Sequence, residues 1–122
     1  MKIKTSELIG AELDLAVAEA LNKSTPNCVS KDGNGNYYDW TPSAYWQQAG
    51  PIIEKEKIQI TPPYQLGDKW AAIKHDYIFV KDKDAYQEGD TPLIAAMRCF
   101  VASKLGDEVE IQYKCKLTAV VN

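Results

Sequence analysis

The stretch TPLIAAMRCFVASKLG at 91–106 constrains this chain more than any other. Thr91 followed by Pro92 is a helix start: a hydroxyl that can cap the first free amides, then a proline whose missing N–H is not needed there. Leu93, Ile94, Met97, Val101 and Leu105 recur at helical spacing, and Gly106 supplies the stop that a left-handed backbone provides. Such a helix carries an apolar stripe, so the rest of the chain must build a layer that covers it.

The other elements follow from the same kind of signal. After an extended start at Ile3, the run at 6–23 places Leu13, Val17, Ala20 and Leu21 at helical spacing, with Glu12, Glu19 and Lys23 on the other side and Thr5 or Ser6 as the expected cap. The segment at 24–40 collects Ser, Pro, Asn, Asp and Gly and ends in Tyr37, Tyr38 and Trp40, which predicts a loop leading into a short strand. Thr41 and Pro42 repeat the helix-start signal. Tyr45, Trp46, Ala49, Ile52 and Ile53 then fit one face, and Gly50 with Pro51 inside the pattern predicts a bent helix over 42–55.

Strands are predicted at 57–60, 69–74 and 77–81, with His75 and Asp76 closing a two-residue hairpin between the last two. DKDAYQEGD at 82–90 reads as a polar surface loop, and the alternation of Val109, Ile111, Tyr113, Cys115, Leu117 and Ala119 with polar residues predicts a long half-buried final strand. Together these describe an α+β fold, a small antiparallel or mixed sheet covered by about three helices as an α/β sandwich, in a single domain over 1–122. There is no internal repeat and no low-complexity tract.

Charge narrows the function. Across 122 residues, 14 basic against 17 acidic side chains give a net charge of −3, and Arg98 is the only arginine, so nucleic acid is not an expected partner. Cys28, Cys99 and Cys115 form no C-x-x-C pair and have only His75 to complete a metal site, which argues against structural zinc. Their odd number fits reduced thiols, and the start MKIKTSEL lacks the apolar core of a signal peptide. Apolar runs fall well short of the roughly 20 residues of a spanning helix. A cytoplasmic protein without a membrane segment is expected.

Catalytic chemistry finds little support. A cysteine or acyl-transfer nucleophile would need His75, placed in the expected hairpin turn. Cys99 and Cys115 read as small core residues and Cys28 as a loop thiol. Asp82, Asp84, Glu88 and Asp90 crowd one loop without EF-hand order, and the glycines of DGNGN fit neither a phosphate loop nor a dinucleotide fingerprint, so no metal and no cofactor is expected.

Two constellations carry a binding reading. Arg98 lies on or beside the apolar stripe, where it either pairs with a carboxylate or backbone carbonyls or anchors the anionic group of a ligand, aided by Thr91 and the free amides of that helix start. The aromatics are the second. Amphipathic spacing explains Trp46 and Trp70 as core, whereas Trp40, Tyr37 and Tyr38 sit on a loop. The alternative sets Trp40, Tyr45 and Trp46 beside Ser43 and Gln48 as a stacking pocket, or as a protein-binding hot spot.

The segments PSAYWQQAGPIIEK at 42–55, TPLIAAMRCFVASKLGDEVEI at 91–111 and KIKTSELIGAELDLAVAEA at 2–20 resemble the phage NinX-like family, related to the phage ABA sandwich domain. The family pattern P-S-T-D-W-x-Q-G-G-P-I-I-E is matched by Pro42, Ser43, Trp46, Gln48, Gly50, Pro51, Ile52, Ile53 and Glu54, while Ala44, Tyr45 and Ala49 replace its Thr, Asp and Gly. In the third helix Thr91, Pro92, Arg98, Leu105, Gly106 and Asp107 match, and the end after Ile111 runs beyond the usual family stop.

The resemblance implies a phage or prophage origin, an α/β sandwich and no established activity. The expectation is a non-enzymatic accessory protein that sequesters a small nucleotide-like ligand, such as a host immune signal, through Trp40, Ser43, Tyr45, Trp46, Gln48, Thr91 and Arg98. The alternative is a protein-interaction module that inhibits a host protein. A ligand binder should enclose Arg98 with at least one ring, and an interaction module should expose the rings on a convex patch. The alternating segment at 109–121 further predicts a homo-oligomer, in which two chains could share one pocket.

Overall fold

A computed structural model of the chain describes residues 2–21, 29–31, 37–64, 68–74 and 85–110, with 29–31 and 37–39 described by their backbone. In order come β1 (Lys2–Lys4), a 3-10 turn (Thr5–Glu7), α1 (Gly10–Ala20), β2 (Val29–Lys31), β3 (Tyr37–Asp39) and α2 (Trp46–Glu56). They are followed by β4 (Gln59–Thr61), β5 (Trp70–Lys74), β6 (Ala85–Gly89), α3 (Pro92–Leu105) and β7 (Glu108–Glu110). The class is α+β, as the sequence predicts.

The third helix begins and ends where its local chemistry says it should. Thr91 Oγ1 accepts the Ile94 N–H at 3.1 Å, and Pro92 opens the first turn. At the other end the Gly106 N–H reaches the Ala102 carbonyl at 3.0 Å with φ at +94°, a backbone that glycine adopts without a Cβ clash. Leu93, Ala95, Ala96, Met97, Cys99, Phe100 and Val101 are all buried, so burial extends past one stripe: α3 packs on β5 and β6 and also on α1 and α2. Leu105, expected on the stripe, is 39% exposed because it is the last residue before the stop.

Beneath α3 lies an antiparallel sheet in the order β4-β5-β6, with Thr61 opposite Ala71 and Ala71 opposite Glu88. Strand alternation buries Ala72, Ala85 and Gly89 and leaves Tyr86 and Glu88 exposed on the outer face. A Cβ on Gly89 would lie 2.7 Å from both the Ala95 nitrogen and Ile94 Cγ2, so the tight entry from β6 into α3 depends on glycine. β2 and β3 form a separate antiparallel pair. β1 pairs with β7, Lys2 opposite Glu110, and Val109 is buried between exposed Glu108 and Glu110.

Four expectations change. Neither Thr5 nor Ser6 caps α1, which starts at Gly10 after Ile9 without a side-chain cap. Thr5 is instead buried, its hydroxyl donating to the Gly106 carbonyl at 2.6 Å and its N–H to the Asp107 carbonyl at 2.7 Å. The segment at 82–90 is not all loop, since 85–89 forms β6; its buried residues are only Ala85 and Gly89 at the ends, with polar Gln87 between them on the same face, too thin an apolar signal to read. The expected hairpin of 69–74 with 77–81 gives way to β5 flanked by β4 and β6, and residues 75–84 themselves lie outside the described residues. The final strand is described only to Glu110.

The fourth change concerns the second helix, which begins at Trp46 rather than at 42. It runs through Gly50 and Pro51 without a split; Pro51 is exposed, so the carbonyl that loses its N–H partner can turn to water. It ends on Lys57 in the left-handed region at φ 57°, with Ile58 N–H bonded to the Ile53 carbonyl at 3.1 Å. Glu56 closes this corner: its Oε1 meets Lys74 Nζ at 3.0 Å and Lys104 Nζ at 3.4 Å, tying α2 to β5 and α3.

Candidate functional site

The misplaced helix start explains the most exposed part of the predicted site. Thr41 and Pro42 open a turn, in which the Ala44 and Tyr45 N–H groups both bond the Thr41 carbonyl at 2.9 and 3.1 Å. Gln48, from the first turn of α2, reaches back and accepts the Thr41 N–H on Oε1 at 2.7 Å. From α1, buried Asp14 accepts the Ser43 N–H on Oδ1 at 2.9 Å. Burial pushes the Asp14 carboxyl up from its ordinary range, against the lowering effect of its bonds from the Ser43 backbone and side chain. Ser43 and Gln48 therefore hold the turn, and are occupied in doing so.

The rings around this turn divide. Trp40 is partly buried against the core, as is Trp70 on β5. Tyr45 and Trp46 are 57% and 56% exposed, which corrects the core reading of Trp46. The cause is the late start of α2: its buried residues are Ala49 and Ile52, one turn further on, and Trp46 at the first position stands beyond the layer they pack into. Tyr37 and Tyr38 fall on β3, described by its backbone.

Thr91 and Arg98 lie elsewhere, on α3. Thr91 is exposed and caps the helix. Arg98 is half-buried, with Nε donating to the Leu8 carbonyl and Nη1 to the Glu88 carbonyl, each at 2.8 Å. Of its two sequence readings, the structure gives the bond to backbone carbonyls: Arg98 staples the chain before α1 to β6. Both of its polar contacts are to backbone carbonyls, and neither is to the residues at 40–48.

The profile of the family described as Bacteriophage P22, NinX matches residues 4–104. The chain belongs to that family. The match spans the locked turn, the β4-β5-β6 sheet and nearly all of α3, and it stops before β7. No curated protein matches the chain. Within this NinX-family chain Ser43 and Gln48, two residues that carry the resemblance, have a structural task in the turn.

Several of the remaining candidate residues of the NinX-family chain have structural partners where they are described. Cys99 donates its thiol to the Ala85 carbonyl at 3.3 Å, and burial pushes that thiol up to about 12, which keeps it protonated. Cys28, Cys115, His75, Asp82 and Asp84 lie outside the described residues. Of the other two carboxylates expected in one loop, Glu88 accepts from Tyr86 Oη at 2.8 Å and Asp90 pairs with Lys69 at 2.6 Å. Among the described residues no cluster has the composition of a metal site. Among them, too, no helix is long and apolar enough to cross a membrane.

One feature went unread in the sequence. A surface cleft of about 490 Å³ lies along the outer sheet face, lined by Pro62, Pro63, Tyr64, Lys69, Tyr86 and Glu88 among others. The signal was the pair of prolines followed by an aromatic at 62–64 together with the tyrosine of AYQEG, residues that only the fold brings together.

Proposed function

We propose that this NinX-family chain is a non-enzymatic phage accessory protein that works by binding, as an interaction module whose contact residues are Tyr45 and Trp46 and whose partner is a host protein in the host cytoplasm. The observation that carries this reading is the exposure of two adjacent rings on a turn locked from α1 by Asp14 and from α2 by Gln48. Trp and Tyr dominate binding hot spots, and a backbone held in place before binding lowers the ordering cost of association. Two observations favour this reading over a pocket built on Arg98: Arg98 donates to two backbone carbonyls, and the Tyr45 and Trp46 rings are more than half exposed.

A second reading, capture of a small nucleotide-like ligand, is favoured by one observation. α2 begins at Trp46 without a capping side chain and without an acidic residue in its first turn. Free amides at a helix start favour an anion, and here they stand next to two flat rings. In that reading the amides take the role first assigned to Arg98.

Native mass spectrometry of the protein from phage-infected, defence-competent cells, followed by denaturing extraction, separates the two. A retained host polypeptide that is lost in Trp46→Ala supports the interaction module; a released nucleotide-like mass supports sequestration. Bare protein in both samples refutes both. The same spectrum counts copies per particle and so tests the expected homo-oligomer.

A further inference from the structure

The second helix is open along one ridge. Trp46, Gly50 and Glu54 follow one another at a spacing of four residues, so they share one line on α2, beside the face that buries Ala49 and Ile52. Trp46 and Glu54 are exposed at the two ends of that line. Between them Gly50 leaves a gap: among the described residues, no other part of the chain comes within 4 Å of where a Cβ on Gly50 would stand. Glycine there lets the helix continue into Pro51, whose ring crowds a Cβ on the residue before it, and the same choice leaves bare backbone at the middle of the ridge.

The two ends of the ridge are opposite in electrostatic sign. α2 starts at Trp46 with no capping side chain and no acidic residue in its first turn, so nothing in its own sequence offsets the positive end of the helix dipole. The Glu54 carboxylate lies eight residues on, about 12 Å along the axis, too far to serve its own helix start. Charge elsewhere works against self-association, since each chain carries a net −3. Residues 40–53, however, hold no charged side chain, the longest such run in the sequence. A second chain can approach this stretch without like charges meeting.

We infer that the ridge is occupied by a second copy of this chain, the two α2 helices pairing antiparallel about a two-fold axis at Gly50. A line with a gap at its centre and unlike ends is self-complementary under that operation. Each Gly50 meets its counterpart, which lets the backbones approach, and each Glu54 comes opposite the other copy's uncapped helix start beside Trp46. The dimer covers the Trp46 ring. Where Trp46 also takes a host protein, the two compete, and pairing holds the ring in reserve; that regulation rests on the interaction-module reading, and the dimer itself does not.

Sedimentation velocity of the whole chain, from about 1 to about 500 µM, tests the pairing. The expected result is a monomer at the dilute end and a dimer at the concentrated end. Every substitution acts twice in a two-fold dimer, so Trp46→Ala and Glu54→Lys should each weaken association about tenfold or more, and Glu54→Gln about threefold. Both positions are exposed, and an unchanged thermal midpoint at the dilute end checks that the variants fold. In an amide-resolved NMR dilution series the Gln47 and Gly50 signals should move in the parent chain and stay fixed in Glu54→Lys. A monomer at every concentration, or a dimer that either Trp46→Ala or Glu54→Lys leaves intact, would overturn the inference. Neither readout involves a host protein, so a failure of host-protein capture beside an intact dimer counts against the interaction module alone.

Discussion

Around α3 the chain is largely enclosed. Seven of its residues are buried, its arginine is held by two carbonyls and its thiol by a third. The turn at 41–45 is held just as firmly, yet by backbone amides bonded to Asp14 and Gln48, which leaves the Tyr45 and Trp46 rings in water. The contrast teaches where binding can reside in so small a domain. A region fixed through its side chains becomes framework, and a region fixed through its backbone keeps its side chains to use.

The largest test of this contrast is Phe100→Ala, which removes a 1% exposed ring from the framework and should lower stability by about 3–5 kcal/mol in urea denaturation. Next is the lock itself. Asp14→Ala strips the Ser43 amide of its acceptor and should cost about 1–3 kcal/mol, whereas Asp14→Asn keeps an oxygen there and sheds a charge that burial disfavours, so it should cost far less. Equal losses in both variants would mean that charge, not the acceptor, holds the turn.

Smaller effects sharpen the picture at the edges. Lys57→Gly relieves a left-handed lysine after α2 and should gain about 0.5–1 kcal/mol, read as a higher thermal midpoint. At Glu56 burial pushes the carboxyl up, but the hydrogen bond and charge of Lys74, with help from Lys104, outweigh it and hold the folded value below the ordinary range. Its contribution is therefore complete above about pH 4.3 and fades as pH falls through the lowered value. Acid unfolding of Glu56→Gln should show a shallower pH dependence in that window.

Smallest of all, Trp46→Ala and Tyr45→Ala should stay within about 0.5 kcal/mol of the parent in stability while abolishing partner capture. A large loss of stability in either would place these rings in the framework after all.

What could be read from the sequence follows the range of the forces involved. α3 was legible to within a residue because Thr91, Pro92 and Gly106 act on their own neighbours. The start of α2 was not, since the same Thr-Pro signal at 41–42 is redirected by Asp14, 29 residues away from Ser43. Thr5 is redirected in the same manner by the end of α3, and β6 hid behind two small inward residues. For the site, Arg98 and its carbonyl partners were among the readings the sequence left open, but which carbonyls it takes depends on tertiary placement. Tyr64 and Tyr86 were passed over because one lies beside prolines and the other in a polar run, and neither carries an apolar pattern.

The bond from Thr5 to Gly106 spans 101 positions, and β1 and β7 pair beside it. A loop of that length closes late, after more local contacts have formed, because its entropy must be lost before either strand gains a partner. On the ribosome, a nascent chain that has not yet released the segment at 106–110 leaves β1 unpaired and Thr5 without its acceptor. Because that segment follows α3 directly, the α3 core and the β1–β7 closure both wait for the same stretch of chain, and the domain can mature only once synthesis has passed that point.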